Sequence, residues 1–171
     1  MKNSPNIILI GFMGSGKTST SKVLARLLER SCVSTDDKIV DWEGRTIAQI
    51  FEVRGEPYFR SLERRAVAEL SDKSALVIDC GGGVVKDPAN IADLKTNGIL
   101  VHLKTSPEWI LRRTKDVTKR PLLDVPDPLA RIEKLLKERA SMYAQAEITV
   151  DTDGKTPEQV AREIVSLLKN L

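Results

Sequence analysis

One segment near the start of the chain combines an aliphatic run with a glycine-rich loop. It reads Asn6-Ile7-Ile8-Leu9-Ile10-Gly11-Phe12-Met13-Gly14-Ser15-Gly16-Lys17-Thr18. Its first half predicts a short buried strand, and Gly11–Thr18 matches the pattern G-x-x-x-x-G-K-[ST]. An amphipathic helix is predicted directly after it, over Lys17–Leu28. The order strand, loop, helix predicts a phosphate-binding loop.

This loop has the groups that a bound triphosphate needs. Glycines let the backbone curl around phosphate with its N–H groups pointing inward, and the helix N-terminus adds partial positive charge. Lys17 supplies a full positive charge, and the Thr18 hydroxyl is suited to Mg²⁺. The predicted ATP-binding residues of the loop are Gly14, Ser15, Gly16, Lys17, Thr18 and Ser19.

Beyond the loop, short aliphatic runs alternate with amphipathic stretches, which predicts an α/β fold with a parallel sheet. The five predicted strands are Asn6–Ile10, Ser31–Ser34, Leu76–Asp79, Ile99–Leu103 and Ile148–Val150. Besides Lys17–Leu28, the predicted helices are Phe59–Leu70, Pro107–Arg113, Pro128–Tyr143 and Pro157–Leu168. Between Pro107–Arg113 and Pro128–Tyr143, the segment 114–127 contains two prolines and several charges, which suggests a mobile flap.

Composition limits the functional classes. The 171 residues fit one globular domain, and 27 Lys and Arg against 24 Asp and Glu give a net charge of +3. That charge is too small to indicate a nucleic-acid or membrane surface. Cys32 and Cys80 lack metal-binding or disulfide spacing, and we find no membrane span or signal peptide. We therefore expect a cytoplasmic protein.

Three further polar clusters follow the phosphate loop along the chain. They are Ser34–Asp37, Gly55–Glu63 and Asp79–Gly83, and each lies just after a predicted strand or at the start of a helix. Ligands of open α/β sheets bind beyond the carboxyl ends of the strands, so Ser34, Asp36, Asp79 and Gly81–Gly83 should converge on the phosphate loop. GTPase signatures such as N-K-x-D are absent, and the chain is short for a motor protein. A small-molecule kinase is the simplest interpretation.

At this point the sequence resembles the shikimate kinase family over nearly its whole length. The matching pieces are the phosphate loop, Thr35-Asp36, Gly44–Ala48, Gly55-Glu56, Phe59–Glu63, Gly81–Gly83, Arg120–Leu123, and Arg139 before Tyr143. The resemblance implies a three-layer α/β/α fold with a five-stranded parallel sheet and a mobile lid. It also implies one domain over 1–171, a lid at about 112–127 and a substrate-binding helical segment at about 34–62.

The resemblance also implies a reaction, the transfer of the γ-phosphoryl group of ATP to the 3-hydroxyl of shikimate, with Mg²⁺. Arg60 and Arg139 match the family's carboxylate-binding arginines, and Asp36 matches the acid that orients or deprotonates the attacking hydroxyl. The substrate-binding residues would be Asp36, Arg60, Gly81, Gly82, Gly83 and Arg139. The alternatives are solvated surface positions for Arg60 and Arg139 and a helix N-cap for Asp36.

Three further residues match nucleotide-binding positions of the family. Arg120 matches a lid arginine that reaches the transferring phosphate, and would be catalytic together with Lys17 and Asp36. Arg113 and Pro157 match the pair that encloses adenine. A solvated face would also explain Arg120, and helix capping would explain Pro157 equally well.

The family pattern is broken at its magnesium motif. The family normally has D-[ST]-D after the second strand, whereas this chain has Ser34-Thr35-Asp36. Asp79 stands where the family is normally small and neutral or hydroxylic. We hypothesise an exchange, in which Asp79 makes the water-mediated magnesium contact that Ser34 cannot make. Alternatively, Ser34 orders a magnesium-bound water itself and Asp79 only hydrogen-bonds locally.

Two other functions compete with shikimate phosphorylation. One is a related kinase for another small hydroxy acid such as gluconate, and the other is a weakly catalytic ATP-binding regulatory protein. Aromatic residues make up only 4% of the chain, which argues against a nucleic-acid partner. We expect a monomer whose ligands are ATP and shikimate.

Overall fold

The computed structural model describes residues 4–115 and 123–171. Within them, a sheet of parallel strands has the order β2-β3-β1-β4-β5. The strands are β1 (Asn6–Ile10), β2 (Ser31–Ser34), β3 (Leu76–Asp79), β4 (Gly98–Lys104) and β5 (Ile148–Asp151). The predicted five-stranded parallel sheet is confirmed, with β4 and β5 slightly longer than their aliphatic runs because flanking polar residues also pair.

The described residues form seven α-helices. They are α1 (Lys17–Leu28), α2 (Thr35–Glu43), α3 (Ile47–Ser71), α4 (Pro88–Thr96), α5 (Pro107–Thr114), α6 (Pro128–Tyr143) and α7 (Pro157–Leu168). Every helix from α2 to α7 has an N-cap side chain that accepts a backbone N–H bond. Helix α1 differs, because its N-cap Gly16 has φ 87° and belongs to the phosphate loop.

Three helical regions were not among the helices predicted from periodicity: α2, α4 and the first half of α3. The helical segment that the resemblance implies at about 34–62 covers α2 and the first half of α3. Helix α4 was missed, although Asp87 caps it and Pro88 opens it, a start signal that the sequence displays. Helix α3 begins twelve residues before the predicted Phe59 start and contains non-helical backbone at Gly55, with φ 80°. Helix α3 contributes to two apolar clusters: Ile50 and Phe59 pack with Ile39 of α2, and Val67 and Leu70 pack against the sheet.

Two apolar clusters, one on each face of the sheet, pack the sheet against its helices. One side of β1, β3 and β4 packs on α1 and α7 through residues such as Leu24 and Ile164. The other side packs on α3, α4 and α6 through residues such as Val67, Leu94 and Tyr143. Parallel strands buried on both faces explain the continuous aliphatic runs. The three-layer α/β/α arrangement is therefore confirmed.

No helix in the described ranges is both long enough and apolar enough to cross a membrane. The carboxyl ends of β1, β2 and β3 lie side by side, since β3 pairs with both neighbours. From β1 the chain moves outward to β2, and from β3 it returns across β1 to β4. This reversal of direction is where open α/β sheets bind ligands.

Candidate active site

The phosphate loop connects β1 to α1 and is held by Lys17. The Lys17 ammonium donates to the carbonyl oxygens of Gly11 (2.8 Å) and Phe12 (3.0 Å), and lies 3.5 Å from Ser15 Oγ. Gly14 has φ 76°, a conformation that few side-chain-bearing residues adopt. A cavity of about 450 Å³ opens beside the loop. It is lined by Met13, Gly14, Gly16, Lys17, Thr18, Ser19, Ser34, Asp36, Asp37, Asp79, Cys80, Gly81 and Gly82.

Thr18 and Asp79 are in direct contact in this cavity. The Thr18 hydroxyl donates a hydrogen bond of 2.7 Å to Asp79 Oδ2. Burial raises the pKa of Asp79, and the Thr18 hydrogen bond and Lys17 partly offset that rise. A hydroxyl beside one carboxylate, next to a phosphate-binding loop, is a donor set suited to Mg²⁺ with its waters and phosphate oxygens. These residues therefore fit a nucleotide-bound divalent metal.

Ser34 lies beside Asp79 on the neighbouring strand, because the two are register partners in the β2–β3 pair. Its hydroxyl accepts the backbone N–H of Asp37 at 3.2 Å and caps α2. The N-cap of α2 is thus Ser34, and the alternative that made Asp36 the cap was wrong. Asp36 lies in the first turn of the helix, where its carboxylate is free to face the cavity.

Asp36 has a buried carboxylate oxygen, Oδ1, that no described residue hydrogen-bonds. It lies 2.6 Å from the point where a Cβ on Gly81 would stand. Burial raises the pKa of Asp36, with the nearby charge of Asp79 as the second cause. Only glycine leaves room here, so position 81 keeps the acid exposed to the cavity.

Arg60 is held on α3 by two glutamates. Its Nη1 donates to Glu63 Oε1 at 2.8 Å, and its Nε and Nη2 donate to Glu56 Oε1, each at 3.2 Å. Burial raises the pKa of Glu63, and the charge of Arg60 opposes that rise. A Cβ on Gly83 would lie 2.6 Å from both terminal nitrogens of Arg60. The guanidinium end therefore faces Gly83 and is fixed rather than loosely solvated.

Arg139 approaches the same glycines from α6. Its side chain is buried, its Nη1 donates to the Gly82 carbonyl oxygen at 2.9 Å, and its Cζ lies 5.2 Å from the centre of the Phe12 ring. The alternative of a solvated surface position was wrong for Arg139. Two guanidinium groups from different helices meet at the glycine triplet, which is an arrangement suited to an anionic ligand.

Arg113 lies at the end of α5 and contacts the phosphate loop. Its Nη1 donates to the Gly14 carbonyl oxygen at 3.3 Å, and Nη2 donates to the Thr152 carbonyl oxygen at 2.9 Å. Pro157 is the first residue of α7, behind a capping box formed by Thr156 and Gln159. Helix capping therefore accounts for Pro157. The adenine role predicted for Arg113 and Pro157 stays a prediction.

Two predictions fall partly or wholly outside the described residues. Arg120 lies in 116–122, which the structure does not describe, and so does the centre of the lid predicted at about 112–127. The described parts of that range are the end of α5, which stops at Thr114, and the residues just before α6. Arg120 therefore stays a prediction from the resemblance.

Glu63 is a site residue to which the sequence analysis gave no role. It is buried to 1% exposure although it is charged, and its Oε2 has no hydrogen-bond partner among residues 4–115 and 123–171. The sequence did contain a signal, because Glu63 falls at helical spacing between Phe59 and Val67 on the apolar face of α3. A carboxylate on such a face indicates a buried ion pair. Its partner is Arg60.

Comparison with known proteins identifies the family. The family model described as shikimate kinase matches residues 13–169. A shikimate kinase of Caldanaerobacter subterraneus subsp. tengcongensis is 46% identical over 160 residues, covering 94% of each chain. A shikimate kinase of Pelotomaculum thermopropionicum is 45% identical over 164 residues, covering 96% of this chain and 95% of its own.

Solved structures agree with these sequence matches. The shikimate kinase from Acinetobacter baumannii in complex with shikimate superposes with a TM-score of 0.93 and 39% identity, covering 98% of this chain and 94% of its own. A gluconokinase from Sinorhizobium meliloti has a TM-score of 0.63 at 16% identity, covering 99% of this chain and 94% of its own, which reflects a shared fold alone. With the phosphate loop, the paired arginines and the glycine triplet in place, this chain belongs to the shikimate kinase family.

Proposed function

We propose that this enzyme transfers the γ-phosphoryl group of ATP to the 3-hydroxyl of shikimate, a step of chorismate and aromatic amino acid biosynthesis. One observation supports this most strongly: Arg60 and Arg139 both approach the glycine triplet, which also adjoins the Asp36 carboxylate. Asp36 Oδ1 has no hydrogen-bond partner in the described part of the chain, and Asp36 lines the same cavity as the phosphate loop. Shikimate carries one carboxylate and three hydroxyls. The site offers a cationic end and an acidic end for these groups.

Arg60 and Arg139 would bind the shikimate carboxylate. Guanidinium N–H groups pair with carboxylates in charge-assisted hydrogen bonds, the stronger class of protein hydrogen bond. Arg60 keeps its orientation because Glu56 and Glu63 already hold it, so little entropy is lost when the substrate binds. The absence of side chains at Gly81–Gly83 lets the ring approach the backbone.

Asp36 would orient the attacking hydroxyl and accept its proton. Its free Oδ1 provides an acceptor that nothing in the described protein satisfies. The raised pKa of Asp36 makes its carboxylate a stronger base than that of an exposed aspartate. Substrate binding would therefore relieve an unfavourable buried group.

Lys17 and the backbone of Gly14–Lys17 would hold the β- and γ-phosphates. Members of the family use ATP with a divalent metal, which we propose is Mg²⁺, held by the Thr18 hydroxyl with Asp79 behind it through water. When bound, Mg²⁺ neutralises charge on the phosphate oxygens. Ser34 is a weaker candidate for such a water, because its hydroxyl oxygen already accepts the Asp37 N–H.

The remaining nucleotide contacts are proposals from family positions. Arg113 and Pro157 would enclose adenine, and Arg120 would reach the transferring phosphate when the lid at about 112–127 closes and excludes water. The segment at about 34–62 would close on shikimate. Support for the first pair comes from Arg113, which contacts both the phosphate loop and the β5–α7 connection.

We also propose a cytoplasmic monomer without a nucleic-acid partner. Both cysteines are free, as expected in a reducing compartment, and Cys80 is buried. Light scattering of the purified protein at catalytic concentration would test the oligomeric state. A mass near twice 19.0 kDa would contradict the monomer.

The decisive experiment measures ADP release from MgATP with shikimate, with gluconate, and without acceptor. We expect ADP release with shikimate, and none above background with gluconate or without an acceptor. Gluconate-dependent turnover would favour the related kinase, and ATP binding without turnover would favour a regulatory protein. Arg60→Lys and Arg139→Lys should each raise the KM for shikimate at least ~10-fold, because the two-pronged carboxylate contact is lost. Arg162→Lys on the exposed face of α7 is the matched control.

A further inference from the structure

Thr152 occupies a junction between the nucleotide site and the helix that leads to the lid. It follows β5 directly and is 1% exposed. Its hydroxyl lies 2.6 Å from the hydroxyl of Thr105, which follows β4 and is also buried. A buried hydroxyl pair at the ends of two adjacent strands has a fixed position, because both backbones belong to the sheet.

This fixed hydroxyl is bonded to Arg113. Arg113 Nη1 donates to Thr152 Oγ1 at 3.2 Å, while Nη2 donates to the Thr152 carbonyl oxygen at 2.9 Å. Nη1 also reaches the Gly14 carbonyl oxygen of the phosphate loop at 3.3 Å. Guanidinium groups donate in their own plane, so such contacts set the orientation of that plane. Arg113 Cζ also lies 5.4 Å from the centre of the Trp109 ring, so the indole helps to hold the guanidinium.

The geometry around α5 explains why this orientation needs support. Arg113 is in the last turn of the helix, and a Cβ on Gly14 would lie 2.8 Å from the Thr114 methyl group. The end of α5 is therefore packed against the phosphate loop, with residues 116–122 following it. A long flexible side chain at that position has many rotamers, and each contact with Thr152 reduces their number.

We propose that Thr152 is a positioning residue for nucleotide binding, which fixes the plane of Arg113 through the Thr105–Thr152 hydroxyl pair. The proposal rests on the proposed function, in which Arg113 stacks on adenine. Thr152 itself would not touch the base. Its effect would be confined to the nucleotide, since Arg60 and Arg139 belong to the separate acceptor end of the site.

The test is Thr152→Val, which keeps the shape of the side chain and removes the hydroxyl. We expect the KM for ATP to rise about 10-fold, the size of one lost hydrogen bond to a charged group, with kcat and the KM for shikimate within about twofold of wild type. Thr152→Ser should restore the KM for ATP. Thr149→Val on the exposed side of β5 is the matched control.

A double-mutant cycle separates positioning from general destabilisation. In an Arg113→Ala background, Thr152→Val should raise the KM for ATP no further, because the residue through which it acts is gone. Affinity for inorganic tripolyphosphate, which lacks a base, should be equal in wild type and Thr152→Val.

Two results would overturn the proposal: an unchanged KM for ATP in Thr152→Val, or the same rise in the Arg113→Ala background. The proposed function fails separately. If wild type does not phosphorylate shikimate, or if Arg113→Ala leaves the KM for ATP unchanged, then the reaction or the adenine contact is wrong, whatever Thr152 does.

Discussion

The Thr18 hydroxyl donates a 2.7 Å hydrogen bond to Asp79 Oδ2, and this bond joins the phosphate loop to the end of β3. Asp79 is also the register partner of Ser34 on β2. Neighbouring strands are about 4.8 Å apart, so a carboxylate on β3 stands one strand away from the position of the family's first aspartate. The chain thus has a carboxylate beside Thr18, supplied by a different strand.

The proposed role of Asp79 predicts that Asp79→Asn weakens metal binding. Loss of an outer-shell carboxylate costs roughly 10- to 100-fold in metal affinity in comparable sites. We expect an effect of that size on the affinity for Mn²⁺ in the presence of ADP, measured by calorimetry or electron paramagnetic resonance. Magnesium dependence of turnover should shift in parallel.

Ser34→Asp provides the complementary variant. Aspartate caps helices as well as serine does, so α2 should keep its start. In the Asp79→Asn background, Ser34→Asp should restore most of the metal affinity that Asp79→Asn removes. Asp41→Asn on the exposed face of α2 is the control. If Asp79→Asn kept the metal affinity of wild type, the proposed role of Asp79 would be wrong, and Ser34 would be the residue that orders the magnesium-bound water.

Gly83→Ala should impair shikimate binding specifically. A Cβ there would lie 2.6 Å from both terminal nitrogens of Arg60, so the guanidinium must move out of the carboxylate site. We expect the KM for shikimate to rise at least ~10-fold, the effect of losing a charged hydrogen bond, with the KM for ATP unchanged. Steady-state kinetics with each substrate varied in turn would measure this.

Gly44→Ala is the matched control for that glycine. Gly44 has φ 61° at the end of α2, and a Cβ there would meet nothing within 4 Å. The substitution should lower the free energy of unfolding by about 1 kcal/mol through backbone strain. It does not displace Arg60, so the KM for shikimate should rise far less than in Gly83→Ala and the KM for ATP should not change. If Gly44→Ala and Gly83→Ala changed the KM for shikimate equally, the steric explanation for Gly83→Ala would be wrong.

Asp36→Asn should lower the catalytic activity and raise the stability of the protein. Loss of the acceptor for the hydroxyl proton should reduce kcat by roughly 10²- to 10⁴-fold. The pKa of Asp36 is raised by burial, so the ionised carboxylate opposes folding once the pH exceeds the folded-state pKa. The variant should therefore unfold at a higher temperature than wild type at pH 8, with the gap narrowing towards pH 4. Calorimetric scans at both pH values would measure this.

Because His102 is partly buried, we expect the free energy of unfolding to fall at acidic pH. Burial, with help from Lys104 and Lys17, lowers its pKa from 6.5 to about 4. The unfolded chain takes up a proton below pH 6.5 while the folded chain does not, so stability falls as the pH drops from 6.5 to 4. Allowing for partial solvation of the ring, we expect about 2 kcal/mol between pH 7 and pH 4.5.

His102→Phe removes this titration and keeps a ring against Tyr143, which stacks on His102 at 4.4 Å. Denaturant unfolding should be measured at pH 7 and pH 4.5. The difference in the free energy of unfolding between the two pH values should be about 2 kcal/mol smaller in the variant than in wild type. An equal pH dependence in the two proteins would mean that His102 does not titrate as stated.

Local signals explain which elements were predicted correctly. Strands β1, β3 and β4 contain aliphatic runs suited to burial, whereas β2 is a partly exposed edge strand. The starts of α5, α6 and α7 carry caps with a following proline. Helix α4 carries the same signal at Asp87 and Pro88 but was missed, since its weak apolar periodicity gave no further support. The first half of α3 was missed because Gly55 and Pro57 indicate a break, and the structure continues the helix across that kink.

By itself, the sequence determined the α/β class, the phosphate loop and the family, because these depend on residues adjacent along the chain or at fixed spacing. The tertiary structure alone decided which distant groups meet: Asp79 with Thr18, Arg139 with Gly82, and Arg113 with Thr152. The physical reason is that residue types specify local backbone preferences. Contacts between elements depend instead on strand order, register and packing, which a linear pattern does not contain.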